Sequence, residues 1–185
     1  MKRICFALIA ISIAVMVCSC FADAADLRWG MTKDEANTIM GEKGEEDIDP
    51  NGYDTLLRFK DVKISDLSLS MELVFRNDQL IQKLYGIYEK YLATFNYLYE
   101  ALETKYGKSD EDEKTVIYVL DVFGMEVTSE ELQYRKQKKE IFYKTWNPSE
   151  DMIICLMHLG NGLTELVYSA PKDLIPEITV GIEGL

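Results

Sequence analysis

The residues best suited to chemistry are few, and their spacing does not favour it. The single histidine, His158, and Cys155 form a Cys-x-x-His within the apolar run "MIICLMHL". A nucleophile–base pair or a zinc site of the usual type would have to use both. In a strand, residues three apart point to opposite faces. The pair is therefore expected to be a structural histidine and a buried thiol rather than a shared site. There is no Gly-x-Ser-x-Gly, phosphate-binding glycine loop or dinucleotide fingerprint. One hard-ligand pattern remains. Asp47, Asp49, Asn51 and Gly52 occupy positions one, three, five and six of a calcium loop. Position twelve is Arg58 instead of a bidentate glutamate, and Pro50 restricts the backbone of Asp49. The leading reading is an ordinary acidic turn, and Ca²⁺ held by Asp47, Asp49 and Asn51 in the loop Asp47–Asp54 is the alternative. Carboxylate pairs can do acid–base work. Here they come in the runs Glu45-Glu46-Asp47, Asp110 to Glu113 and Glu130-Glu131, which read as solvated segments. No catalytic residue and no cofactor is assigned.

The aromatic residues offer contact chemistry instead. The chain has 11 tyrosines, six of them between Tyr85 and Tyr106. Tyrosine combines apolar area with a polar tip, which suits interfaces as well as core edges. Tyr91 and Tyr106 belong to an apolar helix face, whereas Tyr97 falls off it. Trp29, Tyr97 and Tyr99 are the candidate protein-binding residues.

The elements that must position them can be read in order. In "DLRWGMTKDEANTIMG", Thr32 and Glu35 form a Thr-x-x-Glu capping box. Ala36, Ile39 and Met40 give the helix a short apolar face, Gly41 can end it, and Gly30 allows the tight turn that leads in. A polar loop is expected from Glu42 to Asp54. Strands are expected at Thr55 to Lys60, at Leu67 to Phe75 with period two, and at Leu80 to Tyr88 beyond the turn Arg76-Asn77-Asp78-Gln79. Phe95, Leu98, Leu102 and Tyr106 continue the helical face begun by Tyr91, and Gly107 closes it. Thr115 to Phe123 reads as a buried strand. Thr128 to Lys139 begins with a second capping box and fits either an exposed helix or a long hairpin tip. A second meander follows: Glu140 to Trp146, Met152 to His158 and Leu163 to Ser169. The fold class is α+β, with two helix-plus-antiparallel-meander units and the helices on one face of the sheet. Residues 25–170 form one domain, with 25–89 and 90–170 as candidate structural repeats, and 171–185 is a tail.

Residues 1–24 read as a cleaved signal peptide. Lys2 and Arg3 precede the apolar run Ile4 to Val17, and Ala22-Asp23-Ala24 supplies the A-x-A site. The competing reading is the lipobox-like "VCSC", with Cys20 acylated and the protein tethered to a membrane. Cleavage after Ala24 removes Cys5, Cys18 and Cys20, so Cys155 cannot form an internal disulfide. It also removes Lys2, Arg3 and Asp23, which takes the net charge from −12 to −13. Such acidity disfavours nucleic acid and anionic membrane surfaces as partners. No second apolar stretch is long enough to span a bilayer.

"WGMTKDEA", Trp29 to Ala36, resembles the helix start of small exported bacterial proteins of the β-lactamase-inhibitor-like and SmpA/OmlA outer-membrane assembly lipoprotein group. "MELVFRNDQLIQKLYG", "ALETKYGKS", "IFYKTW", "MIICLMHL" and "LTELVYSAP" resemble uncharacterised exported members of that group. The pattern differs from the secreted inhibitors in lacking paired cysteines, and its one echo, Phe123-Gly124-Met125, has no capping residue directly after it. The resemblance implies a periplasmic or secreted α+β envelope protein, not an enzyme, that meets an envelope or extracellular protein by contact. A calcium- or small-ligand-binding module ranks second, and a hydrolase with an unrecognised carboxylate site ranks last.

Overall fold

The computed structural model describes residues 26–48, 54–64, 67–88, 92–122 and 124–174. The expected signal segment, Cys20, the calcium-loop residues Asp49 and Asn51, and residues 175–185 lie outside them.

Local sequence explains the first elements. Thr32 caps α1 (Lys33–Met40), accepting from the Glu35 N–H, while the Glu35 carboxylate takes the Thr32 N–H at 2.8 Å. Gly41 ends the helix in the left-handed conformation, with φ 70. The chain then pairs where an acidic loop was expected. β1 (Glu45–Ile48) lies antiparallel to β2 (Asp54–Ile64), with Glu45 opposite Arg58 and Ile48 opposite Thr55. All four β1 residues are exposed. Backbone pairing and ion pairs form this edge strand without leaving an alternating apolar pattern in the sequence. The charges also discourage pairing with a further chain.

β2, β3 (Leu67–Arg76) and β4 (Gln79–Tyr88) form the expected meander. The turn between β3 and β4 has Asn77 and Asp78 at φ 50 and 58, the doubly left-handed geometry that suits two-residue hairpins. α2 (Ala93–Tyr106) buries Phe95, Leu98 and Leu102 along one face, as its spacing predicts. Gly107 follows at φ 84.

The segment expected to be a buried strand is a helix, α3 (Glu113–Val122). A short β-branched run cannot be assigned by hydrophobicity alone. Here the buried residues Val116, Val119 and Leu120 form a three-and-four stripe. Asp112 also favours a helix start: its carboxylate accepts from the Lys114 N–H and from the Thr115 hydroxyl. The polar segment after it is the exposed helix α4 (Ser129–Gln137), held by one fully buried residue, Leu132.

β5 (Ile141–Ser149), β6 (Met152–Leu159) and β7 (Leu163–Ser169) make the second meander. The two meanders are not separate sheets. β4 pairs with β7 antiparallel, Leu84 opposite Val167, giving one seven-stranded sheet in the order β1-β2-β3-β4-β7-β6-β5. Asp110 blocks part of the β5 edge by exchanging backbone hydrogen bonds with Thr145.

The α+β class is as expected, but the helices divide between the two faces of the sheet. Successive strand residues point to opposite faces. Leu73, Phe75, Ile154, Leu156, Leu166 and Tyr168 pack on one side with Ala36 of α1 and Phe95, Leu98 and Leu102 of α2. Val74, Leu84, Cys155, Met157 and Val167 pack on the other with Val116, Val119 and Leu120 of α3 and Leu132 of α4. A sheet buried on both sides has near-continuous apolar strands. "MIICLMHL" is such a strand, with five consecutive residues buried.

Candidate contact surfaces

The segment before α1 is fixed at several points. Gly30, at φ 80, donates its N–H to the Leu80 carbonyl at 3.0 Å, and Leu80 returns the bond to Met31 at 2.9 Å. The Trp29 indole donates to the Asp151 carbonyl at 2.8 Å. Lys83 of β4 places Nζ 4.6 Å from the centre of the Trp29 ring and donates to the Leu27 carbonyl at 3.0 Å. Burial pulls Lys83 down to about 8. The carbonyl and the aromatic face both stabilise the ammonium, so it stays charged at neutral pH. These bonds hold Trp29 half-buried at the wall of an open groove of about 870 Å³, lined by Asp26, Arg28, Met31, Asp34 and Ile39 among others.

The other aromatic candidates do not join it. Tyr97 is 40% exposed on α2 but does not line the groove. Tyr99 is half-buried, its ring centre 6.3 Å from that of Trp146 and beneath Lys144, and it bonds to Glu103. These contacts account for Tyr99 as packing. Of the three candidates, Trp29 is the one that lines this groove.

The candidate calcium residue Asp47 belongs to β1, and its carboxylate lies 3.0 Å from Arg58 Nη1. Arg58 also reaches Glu72 at 2.8 Å through Nε. The arginine at position twelve of the loop pattern therefore supplies a cation from within the chain. Among the described residues, no group of three or more His, Cys, Asp or Glu could hold a metal ion. His158 is buried, with Nδ1 2.8 Å from Thr164 Oγ1 and its ring beside Phe95 and Phe142. Cys155 lies within the core of the opposite face, where burial pushes its thiol up. The two side chains are separated by the sheet, as their spacing in a strand requires.

Glu165 was not singled out from the sequence. It lies on β7 opposite Gly86 and points to the same face as Val167, at the margin of the α3–α4 core. Burial, and secondarily the Glu72 carboxylate, pushes its carboxyl up to about 7. It makes no hydrogen bond or ion pair among the described residues. Its signal in the sequence is slight: in "LTELVYS" the glutamate shares an alternating stripe with Leu163 and Val167.

No family model, no curated protein and no solved structure matches the chain. Fold and surfaces together define a class: an α+β protein whose antiparallel sheet is covered by helices on both faces, with an open groove at its N-terminal corner. No described helix is long and apolar enough to cross a membrane.

Proposed function

We propose that this is a non-enzymatic, exported envelope protein that works by protein contact, and that the groove beside Trp29 is its contact surface. One observation carries the reading: a large aromatic ring is held in place before any partner arrives. The indole bond to Asp151, the Lys83 ammonium and the Gly30–Leu80 pairing restrain it. A pre-set aromatic anchor in a concavity has the properties of an interface hot spot, because little side-chain freedom remains to be lost on binding. Ile39, 37% exposed, extends the apolar wall, and Asp26 and Asp34 give the rim a negative charge. The leader-like N-terminus and the "WGMTKDEA" resemblance support the envelope location.

Site-specific photocrosslinking in the native cell tests this. A photoreactive residue at Ile39 should give a discrete protein adduct. The same group at Tyr134, which is 58% exposed on α4, should not. Absence of an adduct at Ile39, or the same adducts from both positions, would overturn the assignment of the groove.

A further inference from the structure

The groove beside Trp29 combines an apolar wall with an acidic rim. Asp34, Glu35, Thr38 and Ile39 line it from α1. Residues four apart share one side of a helix, so the groove runs along α1, whose eight residues span roughly 12 Å. Ala36 faces the core instead. Asp26, Trp29 and Met31 line the groove from the segment that leads into the helix. The apolar wall is therefore Trp29, Met31 and Ile39, and carboxylates stand on both sides of it.

The rim charges have no partners within the described chain. On the neighbouring strands the carboxylates are matched: Glu46 with Lys33 at 2.7 Å, Asp47 and Glu72 with Arg58 at 3.0 and 2.8 Å, and Asp54 with Arg76 at 2.7 Å. Asp26 and Asp34 are exposed, and neither carboxylate has an ion pair among the described residues. Lys33, next to Asp34 in sequence, is drawn away to Glu46. Glu35 is taken by the Thr32 cap. Arg28 also lines the groove, but it offsets only one of the three carboxylates. The last turn of α1 carries no basic residue, so its negative end is uncompensated as well. Trp29, by contrast, already has a cation: Lys83 Nζ lies 4.6 Å from its ring centre. That contact uses the ring's attraction for positive charge and leaves its exposed part to apolar contact.

We propose that the groove takes a partner segment of one particular chemistry: an apolar side chain lodged between Trp29 and Ile39, with lysines or arginines within a few residues of it reaching Asp26 and Asp34. This rests on the groove being the contact surface, and adds the charge of what is bound there. The apolar contact supplies the anchor, while the exposed rim charges speed encounter and select against acidic partners. An anionic lipid surface is repelled by the same rim.

The test titrates the isotopically labelled protein with three end-blocked peptides, following backbone amide shifts: Lys-Leu-Phe-Leu-Lys, and the same peptide with serine or with glutamate in place of both lysines. The lysine peptide should shift Trp29, Asp34 and Ile39 saturably. The serine peptide should bind there more weakly, and the glutamate peptide not at all. Asp26→Asn combined with Asp34→Asn keeps the shape; it should weaken the lysine peptide roughly fivefold and leave the serine peptide unchanged. Raising the salt from about 0.05 M to about 0.5 M should have the same selective effect. Ile39→Ser should weaken both peptides. Five results would overturn the proposal: no binding by any peptide, equal affinity for all three, affinity indifferent to the double variant, shifts centred on another acidic surface such as Asp110 to Asp112, or shifts that depend on protein concentration alone and so mark a second copy as the occupant. The Ile39 crosslink separates this failure from that of the contact reading. A discrete adduct in the cell without preference for the lysine peptide removes the charge assignment and leaves the contact surface standing, whereas absence of the adduct removes both.

Discussion

Replacing Glu165 by glutamine should stabilise the protein at alkaline pH and leave it nearly unchanged in acid. The carboxyl is raised from 4.5 to about 7, chiefly by burial and secondarily by Glu72. The charged groups facing it from adjoining strands are few. Glu72 of β3 is already paired with Arg58, and Cys155 of β6 is kept neutral by its own burial. The folded state binds the proton more tightly than the unfolded chain. Stability from this group is therefore fully present below about pH 4.5, declines as pH rises towards 7 and stays reduced above it. At 1.36 kcal/mol per pH unit, the ionised carboxylate costs the folded state up to about 3 kcal/mol. The side chain is partly open to water, so about 2 kcal/mol is the expected gain for Glu165→Gln at about pH 8, falling towards zero at about pH 4. Urea denaturation of parent and variant at the two pH values measures it, because the difference between the two ΔΔG values isolates the titration. Equal ΔΔG values at both, or a variant less stable than the parent in alkali, would refute the reasoning.

Other outcomes follow from the same structure. Thr32→Ala removes the α1 cap and should cost about 1 kcal/mol in urea denaturation, with early amide exchange confined to the first turn of α1. Leu132→Ala leaves α4 without its buried anchor and should cost about 2–5 kcal/mol; a change within experimental error would mean that α4 does not pack on the sheet. Millimolar Ca²⁺ should leave the melting temperature unchanged because Arg58 already occupies the Asp47 carboxylate; a calcium-dependent rise abolished by Asp47→Ala would restore the ion-binding alternative. Intact mass from the native source should begin at Ala25, and a mass beginning at an acylated Cys20 would make the protein a tethered lipoprotein instead.

Where side chains make local commitments, the sequence was legible. The capping box at Thr32, the left-handed glycine at Gly41, the Asn77-Asp78 hairpin turn and the period-two stretch from Leu67 to Phe75 each specify their own backbone geometry, and each stands as expected. The failures share a different cause. β1 exists because β2 offers it hydrogen bonds and cations, and neither appears in the residues Glu45 to Ile48. α3 looked like a strand because Val116, Ile117, Val119 and Val122 are strand formers; the tertiary stripe and Asp112 outweigh that preference. Placing all the helices on one face overlooked the unbroken apolar character of β6, which already implied cover on both sides. For the contact surfaces, Trp29 was visible as an unusual residue beside a turn, but Glu165 was not. Its environment is assembled from β3, β4 and β7, and no spacing within β7 reports the glycine across the ladder.

The pairing of β4 with β7 also bears on how the chain reaches this fold. Each meander is built from neighbouring hairpins, which close short loops and form early. The seam is different: Gln82 must meet Ser169, and Tyr88 must meet Leu163, across all of the chain between them. Closing that long loop carries a larger entropic cost than closing either hairpin, so pairing along this seam should follow the hairpins rather than precede them. The seam carries residues of both cores, Tyr85 and Leu166 on one face and Leu84 and Val167 on the other. Pairing along the seam therefore buries residues of both faces together, which couples the stability of one half of the sheet to that of the other.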